Sequence, residues 1–581
     1  MSKSKDILDL NLLKRVVLFA KPYKSRFIFA AIFAITLSFL GPIRPYLISH
    51  AVDNYILVPK PELLLNMMII LFVLLIIEGC MQFFYMYLST WIGQNVIKDI
   101  RAVIFKHILN LKKSYFDNTP IGTLVTRSIS DIETISDIFS QGLLVIIAEF
   151  LRLIIVILVM FYTDWRLTLI TLLTIPFLLI ATAWFKKNIK ITFENVRDEV
   201  ARLNTFVQEH IVGMKIVQIF NREDAEYDKF YEINKSHQNA HIKSIFYYAV
   251  FFPIVEILSA TAIALVVWYG GTLISYGKNI TIGELTAFIL LIHMMFRPIR
   301  QLADRFNILQ MGIVGSQRVF KVIDNINELE HNSGNKKILK SPKISFNNVC
   351  FEYKNNEPVL QGLTFNIDSG KTLAIVGRTG AGKTSMINII NRFYDIKSGE
   401  IKINAKNIYD IDLCNLRENI SLINQDVFLF SESIFNNVGL FDESISKQMI
   451  IDGAKEIGLH EFINSLPSNY EYIIGERGVN LSVGQRQLIA FLRVYVRNSK
   501  ILILDEATSS IDSKTEQLLQ NALRKISTNR TTIIIAHRLS TILHADKIIY
   551  LKDGKISESG THKELVAQKG LYYKMYSAQT T

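Results

Sequence analysis

A glycine-rich segment at residues 377–384 carries the strongest chemical signal in the sequence. It reads GRTGAGKT, follows the apolar stretch 372–376 and precedes the helical run 385–394. In this strand–loop–helix context, backbone N–H groups wrap around phosphates at a helix N-terminus. Lys383 is then placed to reach the β- and γ-phosphates, and the Thr384 hydroxyl to hold Mg²⁺. The predicted phosphate site consists of Gly377, Arg378, Thr379, Gly380, Ala381, Gly382, Lys383, Thr384 and Ser385.

Two further apolar runs end in residues that suit phosphate chemistry. Residues 501–506 read ILILDE, so Asp505 is placed to complete a Mg²⁺ shell and Glu506 to act on an attacking water as general base. The run 532–535 leads to His537. We expect these two strands to be neighbours, which would bring His537 close to the γ-phosphate. The predicted catalytic residues are therefore Glu506 and His537.

The elements that position these residues belong to an α/β domain. Beyond residue 342, short apolar runs alternate with amphipathic helices, which predicts a largely parallel sheet. The first half of the chain differs, because it contains apolar runs long enough to span a bilayer, which requires roughly 20 residues. Six such spans are predicted, at about residues 27–49, 63–91, 138–161, 167–185, 245–274 and 282–311.

The distribution of charge predicts the orientation of these spans. The first 26 residues and the long connections 92–137 and 186–243 together hold 23 Lys and Arg, whereas the three short connections hold one each. The positive-inside rule places the N-terminus, both long connections and the α/β domain in the cytoplasm. Most of the net charge of +12 lies in the first half of the chain, because residues 341–581 carry 28 basic and 25 acidic side chains and so contribute only +3. A nucleic-acid partner is therefore not expected.

Some polar residues in the first half leave alternatives open. Residues 8–23 mix apolar and basic side chains, which fits either a helix lying on the inner leaflet or a solvated start to the first span. Glu78 and Glu256 fall inside predicted spans, where charge rarely faces lipid. They either line a cavity that favours cationic cargo, or belong to helices that project into the cytoplasm, where the glutamates lie in water or in contacts between helices. The three cysteines form no CxxC pair, so reduced thiols are expected.

The segment LSVGQ at residues 481–485, just upstream of the Asp505 strand, resembles a family signature. With the phosphate loop, it makes the chain similar to ATP-binding cassette (ABC) exporters, specifically bacterial half-transporters, over nearly its whole length. The resemblance implies a six-span α-helical membrane domain of ABC exporter type and an α/β P-loop ATPase domain with a helical subdomain. The expected boundaries are a cytoplasmic segment 1–26 with a candidate interfacial helix, a transmembrane domain 27–311, a linker 312–342 and a nucleotide-binding domain 343–581.

The resemblance also assigns roles to single residues. Tyr353 is similar to the aromatic residue that stacks on adenine, Gln425 to the glutamine that senses Mg²⁺, and Asp512 to the D-loop aspartate. Residues 115–122 and 220–226 resemble the two cytoplasmic coupling segments of exporters. The implied Mg²⁺ ligands are Thr384, Gln425 and Asp505, and the implied contacts to the ATP of a partner subunit are Ser482, Val483, Gly484 and Gln485.

Val483 departs from the family signature LSGGQ. A β-branched residue does not easily adopt positive φ, so ATP turnover would be weakened if this position required it. LSVGQ is similar to signatures found in several exporter subfamilies, which implies an active ATPase.

The resemblance implies ATP-driven export or flipping of amphipathic drugs or lipids across the bacterial inner membrane by alternating access. ATP lies between the P-loop of one subunit and the signature of the other, so a dimer is implied. Because Glu506 and His537 are both present, a homodimer is preferred, and a heterodimer of two half-transporters stays open. The six spans argue against a soluble ABC protein and the domain order against an importer. The catalytic residues argue against a channel or regulatory subunit. Peptide export is less expected, because no peptidase domain precedes the first span.

Overall fold

The computed structural model describes residues 10–277, 280–330, 334–338, 342–354, 356–505, 513–535 and 542–580. These residues form two compact units. The first unit comprises the residues up to Leu109 together with Pro120–Ile326, and the second comprises Asn110–Thr119 together with the residues from Asn327 onward. A ten-residue piece of the first half therefore belongs to the unit built mainly from the second half.

The described residues of the first unit form helices joined by short turns. The prolines at positions 42 and 45 are accommodated inside one long helix. One short helix, Lys113–Asn118, belongs to the second unit although its neighbours in sequence belong to the first. In chain order the helices are α1 (Leu10–Phe19), α2 (Lys24–Ala51), α3 (Pro61–Leu109), α4 (Lys113–Asn118), α5 (Ile121–Ser128), α6 (Ser130–Asp137), α7 (Leu143–Thr163), α8 (Trp165–Leu172), α9 (Ile175–Ile219), α10 (Glu223–Ser275) and α11 (Ile282–Ile323).

Five helical stretches of the described chain are long and apolar enough to cross a membrane. They cover the first five predicted spans and run at Lys21–Ile56, Pro61–Leu109, Ile121–Thr163, Trp165–Ile219 and Glu223–Ser275. The sixth predicted span lies on α11, which continues beyond residue 311 to Ile323. Three of the helices, α3, α9 and α10, have 49, 45 and 53 residues. At 1.5 Å per residue each is more than twice as long as a bilayer core requires.

The structure places the ambiguous polar residues of this unit. Residues Leu10–Phe19 form an amphipathic helix whose apolar face packs against protein, with Val16 0% exposed and Leu12, Leu13 and Phe19 partly buried in the same cluster. Arg15 on this helix donates two hydrogen bonds to Asp324, at 2.7 and 2.5 Å. In the spans, Glu78 lies 3.7 Å from Arg44, which favours the helix-contact interpretation for that glutamate.

The second unit contains two sheets. A four-stranded antiparallel sheet has the order β2-β1-β4-β5, and a six-stranded sheet has the order β10-β9-β3-β8-β7-β6. Within the larger sheet all neighbours are parallel except β10, which pairs antiparallel with β9. The strands are β1 (Ile344–Glu352), β2 (Pro358–Ile367), β3 (Thr372–Gly377), β4 (Ser398–Ile403), β5 (Lys406–Asn407), β6 (Ile420–Ile423), β7 (Ile501–Asp505), β8 (Thr531–Ile535), β9 (Lys547–Lys552) and β10 (Lys555–Gly560).

Helices pack on the parallel sheet. Four of the helices follow β6 and precede β7 in sequence. The central strands are buried on both faces, with all five residues of β8 buried, as expected for a sheet covered on both sides. The largely parallel α/β sheet predicted from the sequence is confirmed. The helices are α12 (Lys383–Ile390), α13 (Leu413–Glu418), α14 (Ile434–Gly439), α15 (Lys447–Ile457), α16 (His460–Asn464), α17 (Val483–Arg497), α18 (Ser513–Ser527), α19 (His562–Ala567) and α20 (Leu571–Thr580).

Residues 110–119 join this unit through backbone hydrogen bonds. Leu111 and Leu329 form an antiparallel bridge. The amide of Lys112 donates to the carbonyl of Glu328 at 2.7 Å, and the amide of Glu330 donates to the carbonyl of Asn110 at 2.9 Å. The α/β unit is therefore discontinuous in sequence.

Candidate active site

The glycine-rich loop connects β3 to α12 in a backbone conformation that glycine adopts most easily. Gly377, Gly380 and Gly382 have φ of 152°, 83° and 99°. A Cβ at Gly377 would lie 2.3 Å from the carbonyl oxygen of Leu551, and one at Gly382 would lie 2.6 Å from Leu360 Cδ2. Two of these glycines are therefore required by close packing as well as by φ.

The loop delivers the N-terminus of α12 without a side-chain cap. Gly382 occupies the N-cap position and Lys383 is the first helical residue. The N–H groups at the start of a helix have no partner within the helix and carry a partial positive charge. The side chain of Thr384, one residue further on, is exposed. This geometry suits an anion of phosphate size.

Lys383 bridges the two ends of the loop. Its ammonium donates to the carbonyl of Gly377 at 2.7 Å and to that of Arg378 at 3.0 Å, and the residue is 6% exposed. Burial lowers the pKa of Lys383, and the negative charge of Asp505 opposes this change. The sheet thus places a carboxylate near the loop lysine, as the sequence led us to expect.

The carboxyl ends of neighbouring strands gather the other predicted residues at one edge of the sheet. Strand β8 lies between β3 and β7, so the prediction that β7 and β8 are neighbours is confirmed. Asp505 ends β7, and exposed Gln425 follows the adjacent β6. Glu506, Asp512 and His537 lie outside the described residues, so their predicted roles stay predictions.

The oxygen donors at this edge suit Mg²⁺. The Thr384 hydroxyl, the Gln425 amide and the Asp505 carboxylate are hard oxygen ligands, which Mg²⁺ prefers over nitrogen and sulfur. Mg²⁺ is typically held in proteins by one or two carboxylates together with phosphate oxygens. Thr384 and Gln425 are exposed, and the buried ammonium of Lys383 offsets negative charge close by. The residues present therefore fit the metal.

Tyr353 is held by its hydroxyl against α12. The hydroxyl lies 3.0 Å from Ser385 Oγ and accepts a hydrogen bond from Asn388 Nδ2 at 3.1 Å. Its ring packs edge-on against Phe351 and remains 45% exposed. An exposed aromatic ring beside the phosphate loop provides a surface on which a base can stack.

The signature segment forms the N-terminus of α17. Ser482 Oγ accepts from the amide of Gln485 at 3.2 Å, and the amide of Ser482 donates to Gln485 Oε1 at 2.9 Å. This reciprocal capping box fixes the first turn. Val483 is the first residue of the helix and is 43% exposed. It is not among the residues with positive φ, so its β-branched side chain causes no backbone strain here.

Two residues that the sequence interpretation missed hold the surrounding loops. Arg486 donates to the carbonyls of Gly478 and Leu481, at 3.2 and 3.0 Å, and so fixes the segment before the signature. Asn437 is fully buried and exchanges hydrogen bonds with the backbone N–H and C=O of Phe430, at 2.8 and 3.0 Å, downstream of Gln425. Neither lies in a recognisable motif, so sequence patterns gave no signal for them.

A helical unit with membrane-spanning helices, in one chain with an α/β unit that carries a phosphate loop and a signature helix, defines an ATP-driven membrane transporter. Comparison with known families supports this class. Residues 27–299 match the ABC transporter transmembrane region, and residues 360–509 match the ABC transporter family. The chain belongs to the ABC exporter family, spans the membrane and binds nucleotide.

Proteins similar to this chain come from several bacteria. An ATP-dependent lipid A-core flippase of Syntrophus aciditrophicus is 33% identical over 98% of this chain and 95% of its own length. A putative multidrug export ATP-binding/permease protein of Staphylococcus aureus is 35% identical over 98% of this chain and 100% of its own length. A solved bacterial Atm1-family ABC exporter with ATP bound has a TM-score of 0.79 and 25% identity, covering 96% of this chain and 98% of its own.

Proposed function

We propose that the chain is a half-transporter that pairs with a second half-transporter and uses MgATP hydrolysis to export amphipathic compounds across the bacterial inner membrane. The observation that carries the proposal is the loop between β3 and α12, where Lys383 bridges two loop carbonyls beside an uncapped helix N-terminus. The proposed domains are the transmembrane domain 27–311 and the nucleotide-binding domain 343–581, joined by the linker 312–342.

Each residue of the site has a distinct proposed task. Backbone N–H groups of the loop and the ammonium of Lys383 bind the phosphates, and Tyr353 receives the adenine. Thr384, Gln425 and Asp505 would hold Mg²⁺, which would neutralise part of the phosphate charge. Glu506 accepts a proton from the attacking water, and His537 and Asp512 act at the γ-phosphate side. The signature residues Ser482, Val483, Gly484 and Gln485 form the N-cap and first turn of α17. Ser482 and Val483 are exposed there, Gln485 is half-buried and Gly484 is buried, and we assign this turn to the ATP bound by a second chain.

The general-base role has a direct test. In Glu506→Gln, steady-state ATP hydrolysis by the purified, reconstituted protein should fall at least about 100-fold, in line with the loss of a general base. ATP binding, measured by equilibrium binding of radiolabelled ATP, should persist. Glu443→Gln changes an exposed glutamate of the same domain and should hydrolyse ATP normally. Normal hydrolysis by Glu506→Gln would overturn the role of Glu506.

The proposed cargo is an amphipathic compound with a cationic group. The names of two relatives point to lipid or drug export. An open, shallow surface on α10 of the membrane unit is formed by residues of that helix, including the ring of Phe252 and the carboxylate of Glu256. An apolar surface with one carboxylate suits an apolar body that carries a positive charge.

The cargo proposal is tested by comparing charged and neutral compounds. Glu256→Gln should reduce stimulation of ATPase activity by tetraphenylphosphonium about 5-fold or more, while stimulation by a neutral amphipath changes less than about 2-fold, because one charge contact at a partly solvated site is worth about 1 kcal/mol. Glu78→Gln is the matched control, since Glu78 pairs with Arg44 in the same membrane unit. Equal loss for charged and neutral compounds would contradict a cation-selecting role.

Orientation and assembly complete the proposal. The excess of Lys and Arg in residues 1–26 and in the two long connections supports cytoplasmic placement of the N-terminus and of the ATPase domain. A homodimer is the preferred assembly, because one chain contains all motifs of a complete site. Purified protein that hydrolyses ATP without a second polypeptide would support the homodimer, and activity that appears only with a different half-transporter would support a heterodimer.

A further inference from the structure

Tyr394 lies between the nucleotide site and the first coupling segment. Its ring meets the ring of Tyr353 edge-on, with centroids 5.0 Å apart and planes at 89°. Its hydroxyl donates a hydrogen bond to the carboxylate of Asp117 on α4. Tyr353, Tyr394 and Asp117 thus form a continuous series of contacts within one unit.

The position of Tyr394 is fixed from the phosphate side as well. The residue follows α12, the helix that begins at Lys383, through a turn in which Arg392 has a φ of 51°. Arg392 donates to the carbonyls of Ile408 and Ile411, at 3.2 and 3.0 Å, and so immobilises this turn. Because Tyr353 is itself bonded to α12 through its hydroxyl, the base site and the phosphate site share one rigid support.

The hydroxyl of Tyr394 keeps its proton and can therefore donate the hydrogen bond to Asp117 at physiological pH. Burial, and secondly the hydrogen bond to Asp117, raise the pKa of Tyr394 above its ordinary value near 10. The phenol therefore stays protonated throughout the physiological range. Its acceptor, Asp117, remains about half exposed, so the contact can break without burying an unpaired charge.

Other side-chain contacts also hold α4 to the unit. Among the described residues they include Ser114 Oγ to Glu328 Oε2 at 3.1 Å, the ion pair of Lys112 with Asp395 at 3.4 Å, and the ammonium of Lys113 over the ring of Phe393 at 5.8 Å. In sequence α4 connects the long helix α3 to α5. The bond from Tyr394 lies at the C-terminal end of α4 and the Glu328 contacts at its start.

We propose that Tyr394 is a positioning residue that transmits occupancy of the base site on Tyr353 to Asp117, so that coupling to α4 depends on the nucleobase as well as on the phosphates. The inference rests on the proposed role of Tyr353 in holding adenine. A base stacked on Tyr353 restricts the ring, the edge contact restricts Tyr394, and the hydroxyl restricts α4. A ligand with phosphates but no base would bind at α12 and leave this series of contacts unengaged.

Hydrogen exchange of the full-length protein in nanodiscs distinguishes the effect of a nucleotide that has a base from that of a polyphosphate that has none. The probes are ATP, in the presence of EDTA to prevent turnover, and inorganic tripolyphosphate under the same conditions. In the unaltered protein ATP should slow exchange in residues 110–119 at least about threefold more than tripolyphosphate does, while both slow exchange in residues 377–385. In Tyr394→Phe, which keeps the ring and loses the hydroxyl, the effect of ATP on residues 110–119 should fall to that of tripolyphosphate. Asp117→Asn, a second variant that weakens the same bond, should behave like Tyr394→Phe.

Tyr572→Phe is the matched control, because it removes a hydroxyl that bonds His562 Nδ1 at 2.7 Å elsewhere in the same unit. It should respond to ATP as the unaltered protein does. If residues 377–385 are protected in every variant, but Tyr394→Phe and Asp117→Asn keep the full ATP effect at residues 110–119, the positioning role is overturned while the nucleotide site stands. If ATP fails to protect residues 377–385 in the unaltered protein, the proposed nucleotide site itself is wrong.

Discussion

Arg417 donates two parallel hydrogen bonds to the carboxylate of Glu330, at 2.6 and 2.8 Å. Glu330 also donates its amide to the carbonyl of Asn110, so one residue ties together the segment after α11, the segment before α4 and the α/β unit. Both side chains are mostly buried, at 30% and 24% exposed. Bidentate pairs of this kind are stronger than exposed ion pairs.

Arg417→Ala should therefore destabilise the α/β unit by about 1.5–3 kcal/mol, because the carboxylate of Glu330 loses two charge-assisted hydrogen bonds. Thermal unfolding should show a decrease in the apparent Tm of several degrees. Lys336→Ala removes the more exposed pair with Asp410 and should cost no more than about 1 kcal/mol. Equal effects of the two substitutions would show that the Glu330 contact has no special weight.

Gly382→Ala should abolish nucleotide binding. Its φ of 99° disfavours a side chain, and the added Cβ would lie 2.6 Å from Leu360 Cδ2 and 3.2 Å from the carbonyl of Val359, so the loop must shift. Gly370→Ala provides the control, since Gly370 has a φ of 72° with no atom within 4 Å of the added Cβ. It should cost about 1 kcal/mol of stability and leave ATP affinity unchanged. Equilibrium binding of ATP distinguishes the two, and retained affinity in Gly382→Ala would contradict the phosphate-loop geometry.

Ser482→Ala should lower both the stability of the protein and kcat for ATP hydrolysis, and the loss of kcat should not follow from the loss of stability alone. The substitution removes one half of the capping box at the start of α17, which costs about 1 kcal/mol and loosens the signature turn. Thr561→Ala breaks an equivalent capping box with Glu564 on α19 and serves as the control. The two variants should show similar losses in Tm, but only Ser482→Ala should lose kcat. A parallel loss of kcat in both would indicate a purely structural role for the cap.

Val483→Gly, which restores the more common family residue, should change kcat by less than about threefold. Val483 lies in the first helical turn without positive φ, so glycine relieves no strain and costs helix stability of up to about 1 kcal/mol. A gain of tenfold or more in steady-state hydrolysis would show that the valine side chain obstructs a second subunit.

Asp324 gives a pH-dependent contribution of known sign. The hydrogen bonds from Arg15 lower the pKa of Asp324. A carboxyl whose pKa is lower in the folded state stabilises the fold above its unfolded pKa, near 3.9, and loses this contribution as pH falls through the folded value. The gap in apparent Tm between the unaltered protein and Asp324→Asn should thus be constant above about pH 5 and shrink progressively as pH falls below about 4. A gap that widens as pH falls below about 4 would argue against the ion pair as its cause.

Local sequence order was enough to predict the phosphate loop and its neighbours. Strand, glycine loop and helix are contiguous in the chain, and the carboxyl ends of parallel strands must share one edge, so Lys383 and Asp505 could be brought together from pattern alone. The apolar pattern of the spans could be read in the same way.

Contacts between distant segments could not be predicted in this way. Tyr394 and Asp117 are 277 residues apart, and neither has an unusual composition around it. The amphipathic pattern of α1 identifies an apolar face but does not say whether lipid or protein covers it. In the structure this face packs against other parts of the protein, as the burial of Val16 and the hydrogen bond from Arg15 to Asp324 show. Glu78 likewise has a partner, Arg44, that spacing along one helix cannot reveal.

The discontinuous α/β unit has a consequence for biosynthesis. Residues 110–119 leave the ribosome well before residues 327–330, with which they form backbone hydrogen bonds. At about 5–20 residues per second, the nascent chain carries α4 without its binding surface for roughly 10–40 s. During this interval the segment is available to chaperones or proteases. It can dock only after residues 327–330 have been synthesised.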